Sequence, residues 1–95
     1  MAVEITEEFV WQSIPPRARD SHKGTFGSVL AVAGSAFYRG AALLAAEGAL
    51  RTGAGIVTLA SVAPGVSAAV TRLPECCLCP CKEGAHGGLA PENVP

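Results

Sequence analysis

The sequence predicts an α/β fold built on a parallel βαβ unit, and three observations carry that expectation. Val29 to Ala33 is a continuous apolar run, as in a strand covered on both faces. Ala41 to Thr52 places Leu43, Ala46 or Glu47, and Leu50 at helical spacing. Ile56 to Ala60 reads as a second, β-branched strand. Strand, crossover helix and strand within about 30 residues form a unit that is almost always right-handed, with its two strands parallel.

The elements follow in order. Ile5 to Ser13 sets Ile5, Phe9, Val10 and Trp11 against Glu7, Glu8 and Gln12, a spacing that suits a short amphipathic N-terminal helix. Thr6 caps it, the acidic residues sit where the helix dipole favours them, and Pro15-Pro16 stops it. Arg17 to Gly27 reads as a polar loop feeding the apolar strand, which is expected to be central. After the Gly34 to Gly40 turn comes a helix kept smooth by Ala41, Ala42, Ala45, Ala46, Gly48 and Ala49, so it can lie close to the sheet. Gly53 then takes the left-handed position past its C-terminus. Pro64 to Leu73 predicts a further helix with Val66, Ala69, Val70 and Leu73 inward. Cys76 to Cys81 predicts a third short strand, ended by Pro80, and another helix is expected to begin near Pro91-Glu92. Three candidate strands and a closing helix-start signal read as the front part of a larger domain, with residues 1–95 as its N-terminal portion.

Composition narrows the function. A chain of 95 residues is at most one small domain, and one of this size buries only about 60–65% of its unfolded surface. Apolar residues make up 49%, many of them alanine, and aromatics only 5%, so the interior must use small side chains set close together. A net charge of −1 argues against the basic footprint that nucleic-acid binding needs. Glu4, Glu7 and Glu8 stand where a signal peptide would be basic and then apolar. The longest apolar run, Ala41 to Ala46, falls well short of the ~20 residues that span a bilayer. The expected setting is cytoplasmic, with neither nucleic acid nor membrane as partner. Cys76, Cys77, Cys79 and Cys81 crowd together, the last three on one face of an extended segment. Their spacing does not match paired Cys-x-x-Cys zinc ligands, and His86 is the only extra ligand nearby. Reduced thiols acting as small hydrophobes are the favoured reading, with metal binding as the lesser alternative.

Two segments could carry chemistry. His22-Lys23-Gly24 and Gly27 offer backbone amides and an ammonium to an anion, although Lys23 precedes both glycines and so does not form a Walker A loop. A plain solvated turn is the competing reading, with His22 as a hydrogen-bonding loop residue rather than an acid or base. Gly34 to Gly40 is the stronger site. It precedes a helix whose first amides are unpaired and face the carboxyl end of the sheet, where open α/β sheets bind ligands. It lacks G-x-G-x-x-G, and Phe37 and Tyr38 are equally compatible with packing. Asp20 is the only aspartate, and a nucleotide-dependent enzyme needs carboxylates to hold Mg2+ or take protons, so a complete active site is hard to build from these residues.

The run from Arg17 through Asp20-Ser21-His22-Lys23-Gly24-Thr25-Phe26-Gly27-Ser28-Val29-Leu30 resembles the ADP/ATP-dependent NAD(P)H-hydrate dehydratases. So do Ala33-Gly34-Ser35, Tyr38-Arg39-Gly40-Ala41 and Ala49-Leu50-Arg51-Thr52-Gly53-Ala54-Gly55-Ile56-Val57-Thr58-Leu59-Ala60, with Leu73-Pro74-Glu75 beyond them. The resemblance implies part of a three-layer ribokinase-like fold. It also implies a repair reaction in which ADP or ATP, with Mg2+, phosphorylates the ring hydroxyl of (6S)-NAD(P)HX, so that phosphate leaves and NAD(P)H is restored. By the same resemblance Ala41, supported by Gly40, contacts the hydrate, and His22, Lys23 and Gly24 organise the substrate side. The family's glycine turn, Thr-Pro-His segment and Gly-Thr-Gly-Asp stretch would lie beyond Pro95. No residue is therefore assigned a catalytic role, and the isolated chain is expected to be inactive. The full-length enzyme is expected to be a homo-oligomer, with an epimerase of the hydrate attached or separate. A ribokinase-like small-alcohol kinase fragment and a non-enzymatic α/β interaction module remain the alternatives.

Overall fold

The computed structural model describes residues 2–14 and 16–95, apart from the side chain of Lys23. Helix α1 (Glu7–Ser13) leads to a 3-10 turn (Lys23–Phe26), then β1 (Ser28–Val32), α2 (Gly40–Arg51), β2 (Ile56–Val62), α3 (Ala63–Arg72), β3 (Cys77–Cys81) and a second 3-10 turn (Pro91–Asn93). The expected stop at Pro15-Pro16 falls partly outside the described residues, because Pro15 is among those left out.

Local chemistry explains the element ends. Thr6 is extended and its Oγ1 accepts the Phe9 amide at 3.1 Å, starting α1 with Glu7 and Glu8 in its first turn. Yet α1 buries nothing: Phe9, Val10 and Trp11 are all exposed. Gly53 adopts φ +105° just past α2, where the extra freedom of glycine is required. Pro64 stands in the first turn of α3, where its missing N–H costs nothing.

The sheet is wholly parallel, in the order β1-β2-β3. Ser28 pairs with Ile56, Val32 with Ala60 and Thr58 with Cys77. The expected βαβ unit is therefore present, and within the described three-stranded sheet β1 lies at one side. It pairs only with β2 among the described residues, and Leu30 and Val32 are 64% and 62% exposed. An apolar run specifies two apolar faces without specifying rank in the sheet.

Helices α2 and α3 cover one face. Their Ala42, Ala46, Ala69 and Leu73 close on Val57 and Leu59 of β2 and on Cys76, with Ala31 and Leu78 packed alongside. Alanines at the contact let α2 lie close to the strands, as its composition predicted. Val70, expected inward, is 54% exposed instead. The other face of the sheet is crossed by the tail, where Leu89, Ala90, Pro91 and Val94 stand beside Leu30, Val32, Cys79 and Cys81.

Pro80 does not end β3, which runs on to Cys81. On an edge strand a proline need not break a ladder hydrogen bond. The helix expected near Pro91 is a single 3-10 turn. Asn93 anchors it: its Oδ1 accepts the Lys82 amide at 2.8 Å, and its Nδ2 donates to the Lys82 and Ala90 carbonyls at 2.9 and 2.8 Å.

Candidate functional site

The carboxyl end of the sheet gathers the features that could hold a ligand. The β1–α2 loop is drawn tight by its own hydrogen bonds. The Tyr38 amide donates to Ser35 Oγ at 3.1 Å, the Ser35 amide to the Tyr38 carbonyl at 3.4 Å, and Arg39 Nε to the Ala36 carbonyl at 3.0 Å. The Ala36 amide donates to the Gly87 carbonyl at 2.8 Å, tying the tail to the same loop. Gly87, at φ +83°, passes so close to Phe37 that a Cβ there would sit 3.1 Å from the ring. Phe37 therefore packs on backbone with one face and remains largely exposed, as does Tyr38.

Helix α2 then starts at Gly40 with no side-chain cap. Its first amides are left for solvent or a ligand, and the helix dipole favours negative charge there. Both expected substrate residues stand at this point. Ala41 is exposed on the first turn, and the position where a Cβ of Gly40 would lie is open space to 4 Å. Gly34, at φ +90°, lies beneath this turn. A Cβ on it would come within 2.7 Å of Ser61 Oγ and 2.9 Å of Ala42 Cβ. Helix α3, also without a side-chain cap, starts beside it. A Cβ on its Gly65 would meet the same Ser61 oxygen at 2.5 Å. Ser61 is fully buried, and its hydroxyl has no hydrogen-bond partner.

The His22–Lys23–Gly24 segment lies elsewhere. It precedes β1, whereas α2 starts after β1, so a strand of about 16 Å separates the two. The turn sits at the amino end of the sheet, where the Gly27 carbonyl accepts the Gly55 and Ile56 amides at 3.1 and 3.2 Å. There His22 is a cap: its Nδ1 accepts the Gly24 amide at 3.2 Å, while Thr25 Oγ1 accepts the His22 amide at 3.3 Å. The Lys23 backbone opens the turn, and its side chain lies outside the described residues. Arg17 braces this end, stacked 4.0 Å from the centroid of Phe26 with Nη2 donating to the Gly53 carbonyl at 3.2 Å. The structure does not bring the histidine loop to Gly40 and Ala41. A groove of about 520 Å³ between the C-terminal ends of α2 and α3 is also remote from the α2 N-terminus, and is lined by Glu47, Arg51, Arg72 and Glu75 with charges of both signs.

No cluster of three His, Cys, Asp or Glu side chains able to hold a metal occurs among the described residues. Cys77 and Cys79 are exposed on β3, Cys81 is half-buried, and of the four only Cys76 is buried against the core as a small hydrophobe would be. Among the described residues no helix is long and apolar enough to cross a membrane. Sequence reading missed Ser61 and Gly65. The one available signal was a serine interrupting an apolar strand, followed at once by the Pro64-Gly65 helix start.

No protein-family model matches the chain. Individual relatives do. It is 44% identical over 73 residues to the ADP-dependent (S)-NAD(P)H-hydrate dehydratase of Listeria monocytogenes, which spans 77% of this chain and 26% of that protein. It is 44% identical over 70 residues to the enzyme of the same name from Bacillus subtilis, covering 74% of this chain and 25% of the relative. A bifunctional NAD(P)H-hydrate repair enzyme of Coxiella burnetii is 50% identical over 52 residues, or 55% of this chain and 11% of that one. Among solved structures, the ADP/ATP-dependent NAD(P)H-hydrate dehydratase of Bacillus subtilis, co-crystallised with ATP and Mg2+, superposes with a TM-score of 0.71 at 41% identity, over 79% of this chain and 27% of that one. A ribokinase-like superfamily protein of Enterococcus faecalis superposes at 0.73 with 26% identity, over 80% and 27%. The chain thus spans about a quarter of the length of the dehydratases it matches.

Proposed function

We propose that this chain, which resembles the NAD(P)H-hydrate dehydratases in sequence and fold, supplies the substrate-side wall of an enzyme that removes water from (6S)-NAD(P)HX to restore NAD(P)H. The observation that carries this reading is the uncapped N-terminus of α2 at the carboxyl end of the sheet, with Ala41 exposed and open space over Gly40. Free amides there orient an anionic or amide-bearing substrate, and the absence of side-chain bulk lets its ring approach the backbone.

The residues of this chain do not fit an ADP- or ATP-bound Mg2+ ion. Asp20 is the only aspartate, and no set of metal-binding side chains converges among the described residues. No catalytic step is therefore assigned to these residues, whose role is to bind and orient. We assign the hydrate as substrate on the names of the relatives, with nucleotide and Mg2+ held by parts of the family fold that this quarter does not contain. An epimerase of the hydrate, attached or separate, belongs to the same proposal, and the bifunctional repair enzyme of Coxiella burnetii supports a second activity beside the dehydratase. Assembly of the complete enzyme into a homo-oligomer and a cytoplasmic setting belong to the same proposal.

The test is a chimera in which this chain replaces the matching quarter of the Bacillus subtilis dehydratase. Ala41→Leu in that chimera is expected to raise the KM for (6S)-NADHX at least about tenfold, equivalent to roughly 1.4 kcal/mol, while the KM for ADP stays constant. An unaltered KM for the hydrate would remove Ala41 from the site.

A further inference from the structure

Ser61 is the one buried side-chain polar atom without a partner among the described residues. Burying a hydroxyl without a hydrogen bond costs free energy, and an alanine of nearly the same shape would avoid that cost. An orphaned group of this kind calls for a reason other than stability.

Its surroundings supply one. Ser61 is the penultimate residue of β2, at the carboxyl end of the sheet. Its oxygen occupies the space that a side chain on either of two glycines would need: a Cβ on Gly34 in the β1–α2 loop would fall 2.7 Å from it, and one on Gly65 in the first turn of α3 would fall 2.5 Å from it. The same Cβ on Gly34 would fall 2.9 Å from that of Ala42, the neighbour of Ala41 on the first turn of α2. Ser61, Gly34 and Ala42 are thus close-packed neighbours in a series that ends at the start of α2, with no room for a side chain between them. Alanine at residue 61 would leave a gap the size of one oxygen, toward which the Gly34 turn could settle.

We infer that Ser61 is a positioning residue of the hydrate site: its hydroxyl is a spacer that fixes the Gly34 turn, and through Ala42 the amides of Gly40 and Ala41, relative to the start of α3. This inference rests on the functional reading above for the identity of the ligand, and on packing alone for the spacer role. Ser61 touches no reacting atom. Its effect belongs to binding of the hydrate, not to nucleotide binding or to the chemical step.

Ser61→Ala separates this role from a purely structural one. In the 95-residue chain, amide hydrogen exchange across residues 34–42 should speed up at least threefold, while exchange in the C-terminal half of α2 and the melting midpoint hold steady or the midpoint rises. In the chimera, the same substitution should raise the KM for (6S)-NADHX at least threefold and leave kcat and the KM for ADP within twofold. Exchange unchanged at residues 34–42, or increased throughout the molecule with a lower midpoint, overturns the spacer role. So does an active chimera whose hydrate KM does not move. A chimera inactive with Ser61 in place counts against the functional reading, and the exchange comparison then decides the spacer role by itself.

Discussion

Gly34 is the residue whose identity the geometry restricts most. Its φ of +90° is one that side-chain-bearing residues rarely adopt, and a Cβ would collide with both Ser61 and Ala42. Gly34→Ala should therefore cost about 2 kcal/mol or more in urea denaturation. A loss under about 0.5 kcal/mol, the usual range of a neutral surface change, would mean that the turn is not held as described. His22 illustrates the opposite outcome for a residue that draws attention in the sequence. Its ring caps a turn at the far end of the sheet, so His22→Ala should lower stability by about 1 kcal/mol and leave the hydrate KM of the chimera unchanged. Thr6 and Gly53 were legible because their reasons are local, within three residues along the chain. The meeting of Gly34, Ser61 and Gly65 was not, because its partners lie far apart in sequence and no local pattern records a close approach.

Among the elements, β2 carries the fold. It is the middle strand, and Leu59 at its centre is fully buried against alanines of both helices. Leu59→Ala should cost about 3 kcal/mol by lost burial and cavity formation, a large share of what so small a domain has in reserve, and should broaden or abolish the thermal transition. Retention of a sharp transition at the parent midpoint would show that the core lies elsewhere. The β3 segment gives a chemical test. Cys77 and Cys79 are exposed, while burial pushes the Cys76 thiol above its ordinary value, so iodoacetamide near pH 8 should modify the first two well before Cys76. Because the folded chain keeps the Cys76 proton longer than the unfolded one, stability should decline as pH rises past the ordinary thiol range, and Cys76→Ala should flatten that decline. Both helices of the core and all three strands were legible from periodicity and apolar runs. Strand rank was not: β1 and β2 are both apolar runs, and pairing alone makes one an edge and the other the centre.

At the scale of the whole molecule, the chain brings together one helix layer and a short parallel sheet, and among the described residues its acidic side chains do not converge with other ligands on a metal site. Its resemblance to the dehydratases was legible because the motif residues follow one another in a fixed order, and sequence identity to relatives and structural superposition agree with it. The position of the Gly34 to Gly40 loop was legible too, since a glycine loop feeding a helix start marks the carboxyl end of a strand in any α/β sheet. The same rule places the histidine loop, which precedes β1 and so lies at the opposite end of that strand from the start of α2. The most direct measurement is the rise in absorbance at 340 nm when (6S)-NADHX and ADP with Mg2+ are given in parallel to the 95-residue chain and to the chimera. The account predicts NADH from the chimera and none from the chain alone; NADH from the chain alone, or an inactive but folded chimera, would contradict it.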